Sequence, residues 1–464
     1  MPGLTIFSKN TTVDTDFAKS LLVALLALPL LCFTPLYAQG QDEQPKTESD
    51  AAIVEGSEAT EEAAEEDDSL GVQVLLDEDT TADMHDDSTI LRDIGVASVD
   101  DRGFMIFDTL RLWVGGAVQY DYYNIDGIYT NLGSNSSREG TNFRRLEGIF
   151  RGQISDWGEA KIQYDFDEGI FRDLYLRWVS KLSDTPTTIT LGNQKEPMGL
   201  DYLSGTKFGL AQERSAPTHA FGSRRGLGVR LHRSFDLTPS ERFFDYWDED
   251  STFMTTSLGV FTKDIENSND TDLSVTGRIT AGRTQDKRGQ HIGLSLSYRE
   301  GDFFRVSMRP EVREADRVTL ARPDSNTASI AALEAAFNEG RPYAQAEGFA
   351  AVYRGRNDGA GGGGYLQAGW YLTENSRVYQ PMWGTIRTGA GGQQLVADVF
   401  GRISHTYGED DLSGSNSYTS LTIGSNLYYR KLRGSINILY GRSRDSINDE
   451  DSGLAFNIRT QYIF

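Results

Sequence analysis

The feature that most constrains this chain is a strict two-residue alternation running through residues 144–231, apolar on one face and charged on the other. Leu146, Gly148, Phe150, Gly152 and Ile154 share one face, and Arg145, Glu147, Arg151 and Gln153 share the opposite one. Ala160, Ile162, Tyr164 and Phe166 then oppose Glu159, Lys161, Gln163 and Asp165, and Leu174, Leu176 and Trp178 oppose Asp173, Tyr175 and Arg177. Such a pattern marks strands with one apolar and one wet face. Two architectures accept it. A soluble sandwich packs the apolar faces together, in domains of about 100 residues. A membrane barrel turns them to lipid and lines an aqueous lumen with the polar face. The local pattern is the same in both, so targeting and the last strand must decide.

Lys19 precedes an apolar run over residues 21–31, and Ala38 follows at a plausible cleavage point. A run this short does not cross a bilayer as a helix; it reads as a secretory signal over residues 1–38. The single cysteine, Cys32, lies inside it, so the mature chain has no thiol chemistry. Residues 39–101 carry 21 acidic residues against Lys46 and Arg92, a net of −19, with few apolar positions. That composition reads as a disordered acidic tail or linker. Residues 1–38 sum to zero, so 102–464 carry −23 + 19 = −4, from 41 basic and 45 acidic residues, and 34 of the bases are arginine. The acidity of the whole chain therefore belongs to the tail and says nothing about the domain at 102–464.

From residue 104 onward the pattern repeats. Leu110, Leu112, Val114, Gly116, Val118, Tyr120 and Tyr122 share one face of a first strand. Six strands fit between residues 110 and 233, and ten more near 252–262, 272–283, 291–300, 302–313, 345–356, 363–373, 393–407, 415–430, 432–443 and 453–464. The total is sixteen. Residues 325–340, containing SIAALEAAFNEG, read as a short helix in a loop, and the glycine run at 359–364 as a loop tip. In the last twelve residues Leu454, Phe456, Ile458, Tyr462 and the terminal Phe464 share one face, opposite Asn457, Arg459 and Gln461. An even strand count, strands of about ten residues and a closing aromatic strand favour the outer-membrane barrel.

The segments FRRLEG, WGEAKIQYDF, FRDLYL, TLGNQKEPMGL, QERSAP and SRRGLGVRL occur in this order, and GGYLQAGWYLTENSRVY follows later. Together they resemble the phosphate-selective porin O and P family, over about 104–464. The resemblance implies an all-β, 16-stranded antiparallel transmembrane barrel in the outer membrane of a Gram-negative bacterium. It also implies a homotrimer set in outer-membrane lipid and lipopolysaccharide, and passive uptake of small anions such as phosphate or polyphosphate. A constriction loop would fold inward from about residue 195 to 223. Met198 stands where the family usually has an aromatic residue, and Glu374 is one place early. The alternative of the same class is a general, weakly selective porin, and that of a different class an envelope anchor or binding protein acting through its acidic tail.

An anion pore needs donors that replace part of the ion's water while letting it leave, and the planar arginine fork suits phosphate oxygens. Strand parity turns Arg111, Arg145, Arg151, Arg177, Arg230, Arg278, Arg299, Arg305, Arg309 and Arg459 toward the lumen. Each has a plainer reading as the partner of a wall acid such as Glu147, Glu159, Asp165 or Asp173. Arg144 and Arg145 match the family's arginine pair, but neighbours in a regular pleat face opposite ways, which places Arg144 near the interface. The resemblance puts Lys195, Lys207, Arg214 and Arg225 on the inward loop or its ends, with Lys207 the constriction residue and Asp173 orienting a neighbouring base. The five histidines are scattered without metal-ligand spacing. A barrel hydrolase built on His232 or His291 with Ser295, or an aromatic sugar slide starting from Trp113 and Tyr175, has little else behind it. No enzyme activity, metal, cofactor or nucleic-acid partner is expected.

Overall fold

The computed structural model describes residues 104–464, apart from 108–109, 131–135, 155–156, 183–184, 238–250, 267–270, 286–287, 374–376, 389–394 and 446–449. The expected signal and acidic tail lie outside the described residues. The first strands are β1 Phe104–Phe107, β2 Leu110–Asp126, β3 Ser137–Ile154, β4 Gly158–Asp165, β5 Ile170–Leu182, β6 Thr185–Lys195 and β7 Arg225–Asp236. Then come β8 Ser251–Thr262, β9 Leu273–Gln285, β10 Arg288–Glu300, β11 Val306–Met308, β12 Val318–Ala321, β13 Ser325–Asn338 and β14 Pro342–Gly355. The last are β15 Gly359–Tyr371, β16 Arg377–Gln380, β17 Thr385–Thr388, β18 Val396–Asp410, β19 Gly414–Tyr429, β20 Leu432–Arg444 and β21 Glu450–Ile463. Two short helices, α1 Leu200–Ser204 and α2 Ala216–Phe221, lie between β6 and β7.

Sixteen of these strands, β2–β10, β13–β15 and β18–β21, pair antiparallel in sequence order, and β21 returns to pair with β2 from Ala117↔Ile463 to Ile125↔Ala455. The wall is therefore closed, which leaves no unpaired edge in hydrocarbon. Alternation survives along each strand. On β18, Val399 and Ile403 are exposed while Asp398, Arg402, Ser404 and Thr406 are buried. The exposed face is Leu-, Ile- and Val-rich all round the ring, as at Leu191, Val229, Leu296, Leu421 and Ile438. The apolar residues face out, and the polar ones face in.

The expected count of sixteen is met, but two assignments change places. Residues 302–313 belong to the β10–β13 connection, where only the β11–β12 ribbon is regular, and the sixteenth wall strand is β13, read above as a helix. Its alanines misled: they favour helix intrinsically, yet here Ala328, Ile330, Ala332 and Ala336 alternate inward and pair along the full length of β10. The glycine run at 359–364 is also wall, opening β15. A Cβ on Gly361 would lie 3.0 Å from the Phe221 ring, so glycine is what lets α2 pack against the wall.

One side of the lumen is filled. Met198, Ala216 and Phe221 from residues 196–224 meet Phe304, Val306, Met308, Val312 and Leu320 from 301–324, against wall residues Ile125, Phe349, Tyr418 and Leu439. Met198 is fully buried there, and burying such a side chain contributes about 1.5–3 kcal/mol. On the opposite side, Gly192 in β6 has φ 129°, and a Cβ there would sit 2.3 Å from the Leu174 carbonyl oxygen. Gly192→Ala is expected to cost about 1–3 kcal/mol. The check is the urea midpoint at which the folded barrel loses its compact gel migration; an unchanged midpoint would contradict it.

Candidate functional site

Residues 196–224 leave the wall after β6 and bond to inward-facing groups far round the ring. Gln212 donates to the carbonyls of Ser435 (3.0 Å) and Asn457 (3.3 Å), and the Leu210 carbonyl accepts from Asn426 and Arg433. The Asp201 N–H donates to Glu347 at 2.9 Å, and Thr276 donates to Glu196 at 2.9 Å. Glu213 accepts two bonds from Arg144 (2.6 and 2.9 Å) and one from Arg459 (2.8 Å). Burial works against that carboxylate's charge, but Arg144 and Arg459 hold it well below its usual range. Backbone away from the sheet must find such partners or stay unsatisfied.

Two further segments join it. Residues 301–324 reach β18 and β19 through Glu311, which bonds Arg402 (2.7 Å), Thr422 (3.3 Å) and Ser404, and reach β3 through Glu314 and Asn142 (2.7 Å). The β16–β17 hairpin contributes Trp383. His232 bonds the Met382 carbonyl at 2.6 Å, and Arg278 donates to the carbonyls of Trp383 (3.1 Å) and Gly384 (2.7 Å). This hairpin meets the β6–β7 segment where the Thr388 N–H donates to the Phe208 carbonyl at 3.1 Å.

Between these segments and the wall lies a cavity of about 450 Å³, lined by 17 arginine and lysine side chains and four carboxylates, Glu168, Asp173, Asp264 and Glu266. The acids of the wall are shared. Glu147 takes both Arg145 and Lys207 (2.6 Å), and Asp173 takes Lys161 (2.5 Å) and Arg225 (2.8 Å). Glu168 takes Arg172 (2.7 Å) and Arg313 (2.8 Å), while Arg177 pairs with Glu159 at 3.0 Å. One carboxylate for two bases leaves the Glu147 and Asp173 groups net positive, whereas Arg172 also pairs with Asp165 at 3.0 Å and the Arg177–Glu159 pair is neutral. Among the described residues, Lys195, Arg214, Arg230, Arg309 and Arg317 form no ion pair with a carboxylate. Lys195 donates instead to the carbonyls of Tyr202 (2.7 Å) and Leu203 (3.3 Å), and Arg214 lies 4.3 Å over the Tyr202 ring. Burial, then the neighbouring Arg313, lowers Arg309 to about 10; burial, then Arg151, does the same to Arg387. Both stay charged at neutral pH.

Of the residues singled out from sequence, Arg144, Arg145, Arg151, Asp173, Arg177, Lys195, Lys207, Arg214, Arg225, Arg230, Arg278 and Arg309 line this cavity. Arg111, Arg299, Arg305 and Arg459 do not: Arg299 approaches Glu196 at 3.5 Å, and Arg459 is bound to Asp121 and Glu213. Arg305 and Arg309 are in the 301–324 connection and not on the wall. Arg144 corrects its expectation. The β2–β3 register slips between Gln119 and Tyr120, making Arg144 the extra residue of a bulge, so that it and Arg145 are both buried toward the lumen. A second slip between Gln163 and Tyr164 makes Arg172 an extra residue too, and half-buried it lines the cavity next to Asp173. Bulges commonly re-aim side chains at functional sites. Arg224, expected with Arg225 where the loop rejoins the wall, also lines it, and sequence reasoning passed over Arg172, Arg313, Arg317 and Arg387. The doublet at 172–173 repeats the signal of 144–145, whereas Arg387 sits in a hairpin that strand periodicity does not reveal.

A closed barrel, apolar outside and cationic within, defines an outer-membrane channel for small solutes in a Gram-negative bacterium. The model of the phosphate-selective porin O and P family matches residues 113–464, and the chain belongs to this family. No curated protein matches the chain. Similar solved structures include in-vitro folded OmpT of Vibrio cholerae, with TM-score 0.50 and 10% identity over 78% of this chain and 99% of that one. An anion-selective porin from Comamonas acidovorans aligns with TM-score 0.48 and 11% identity over 76% and 100% of the two chains. The outer membrane channel DcaP of Acinetobacter baumannii aligns with TM-score 0.43 and 11% identity over 78% and 99%. At such identities the likeness is one of fold.

Proposed function

We propose that this channel passes small anions down their gradient, with phosphate or polyphosphate as the leading cargo, and that residues 196–224 form its constriction. The carrying observation is the cavity lining, 17 bases against four acids, five of those bases without a carboxylate partner among the described residues. Arginine forks replace part of a phosphate's hydration, and several partial sites in file let it move on. The family supports phosphate as the cargo. The roles of Arg144, Arg145, Lys195, Lys207, Arg214 and Arg225 in binding, and of Asp173 in fixing Lys161 and Arg225, belong to the same proposal. So do a signal over 1–38, an acidic linker over 39–101 and a trimer in lipopolysaccharide-bearing membrane.

The test is the reversal potential of refolded protein in a planar bilayer under a KCl gradient, repeated with phosphate. Strong anion preference with chloride current blocked by phosphate is expected. Preference without block would make it a general anion porin, and cation preference would overturn the reading. Lys207→Glu should lower the preference, because it sets a second carboxylate beside Glu147 in place of the cation that shares it. An unchanged reversal potential would remove Lys207 from the path.

A further inference from the structure

We infer that Trp383 is the neutral organiser of the arginine cluster on β5, β7 and β9, holding three guanidinium groups together without adding a third acid to Glu159 and Glu334, which pair with Arg177 and Arg278. The inference rests on the anion-channel reading and names a positioning residue within that path. Arg177, Arg230 and Arg278 all line the cavity, and like charges at close range repel unless something between them compensates. Arg230 has little of its own: one long bond to the Lys195 carbonyl at 3.4 Å, and a buried Nε without a partner.

Glu159 and Glu334 compensate Arg177 and Arg278, and for Arg230 Trp383 supplies what a carboxylate otherwise would. Its ring lies under the Arg177 guanidinium at 4.7 Å and near that of Arg230 at 6.0 Å. Its carbonyl accepts from Arg278 at 3.1 Å. His232 stacks on the indole, 4.7 Å between centroids and 22° between planes, while its own nitrogens bond Ser257 (2.7 Å) and the Met382 carbonyl (2.6 Å). The indole is thereby fixed. A ring face attracts cations through its quadrupole and carries no net charge. An aspartate or glutamate here would gather the same arginines and neutralise one of them. Tryptophan gathers them without adding an acid, so with Glu159 on Arg177 and Glu334 on Arg278 the cluster keeps the charge of Arg230 for the passing ion.

The experiment compares wild type, Trp383→Ala and Trp383→Phe as refolded barrels. In bilayers under a KCl gradient, Trp383→Ala should lower the anion-to-cation permeability ratio about fivefold, the scale of a water-accessible cation–π contact, and Trp383→Phe should keep most of it. Phenylglyoxal labelling read by mass spectrometry gives a second measure. In Trp383→Ala the rate at Arg230 should rise most, that at Arg177, which keeps Glu159, Thr190 and Tyr175, should rise less, and that at Arg278, held by backbone carbonyls and Glu334, should not. Wild-type selectivity and labelling in Trp383→Ala would overturn the inference and make Trp383 a space-filler. A rise at Arg278 too would mean that the hairpin has lost its seat; Trp383→Phe then decides, supporting the role if it behaves as wild type and overturning it if it behaves as alanine. A wild type without anion preference defeats the channel reading alone, and the labelling still judges Trp383.

Discussion

Replacing Arg214 and Arg230 together by glutamate is expected to reverse the sign of the channel's ion preference. Neither side chain forms an ion pair with a carboxylate among the described residues: Arg214 rests on Tyr202 and Arg230 on a carbonyl. Their charge is therefore available to the lumen, and losing it orphans no buried acid. At an effective dielectric of about 20, a unit charge some 5 Å from a passing ion is worth about 3 kcal/mol. Reversing two such charges should move the anion-to-cation ratio by well over tenfold, most at low salt, where screening is weakest. The uncharged pair Arg214→Met and Arg230→Met should fall between. Reversal potentials under a KCl gradient read the result directly. A double glutamate variant that still prefers anions would place selection elsewhere in the barrel, with the Arg309 and Arg317 group next in line. The same change at Arg177 is a different experiment, since Glu159 would be left buried without its partner at 3.0 Å.

The contrast between Arg177 and Arg230 shows where the sequence stops being legible. Period-two alternation correctly turned both toward the lumen, because a one-residue slip would put charge into lipid all along the wall. The plainer alternative it left open, bases paired with wall acids, is what Glu147, Glu159, Asp165 and Asp173 show. What alternation does not encode is local departure from the pleat. Arg144 went to the wrong place for lack of one bulge, and Arg172 was overlooked for the same reason. Segments off the wall carry no dependable period, so the β16–β17 ribbon was unreadable and Trp383 and Arg387 with it. Residues 302–313 alternated well enough to pass for wall, while the alanines of β13 suggested a helix that pairing with β10 and β14 overrides. The family motifs, by contrast, located the β6–β7 segment to within two residues of its observed limits, 196–224.

Glu213→Gln is expected to unfasten that segment while leaving the barrel standing. The carboxylate is fully paired, to Arg144 on β3 and Arg459 on β21, and the backbone carbonyl of the same residue accepts from Arg402 at 2.9 Å. Arg459 retains Asp121 at 2.7 Å, but Arg144 loses its carboxylate and stays buried. Breaking one partner out of such a pair typically costs about 3–5 kcal/mol, and here the cost falls on the loop, because no wall hydrogen bond is touched. Larger, noisier conductance and new protease cleavage within 196–224 should accompany unchanged heat-modified gel migration. The pH dependence follows from the sign of the shift. A carboxyl whose folded value lies below its unfolded value of about 4.3 gives stability that is present above the unfolded value and lost as pH falls through the folded one. Wild-type channel noise should therefore be flat from pH 7 to about 5, and the Gln variant should be noisy throughout. Quiet, protease-resistant Glu213→Gln channels would show that the segment is fastened elsewhere, and the bonds of Glu311 to Arg402 and to the Ala216 N–H (2.8 Å) would be the place to cut next.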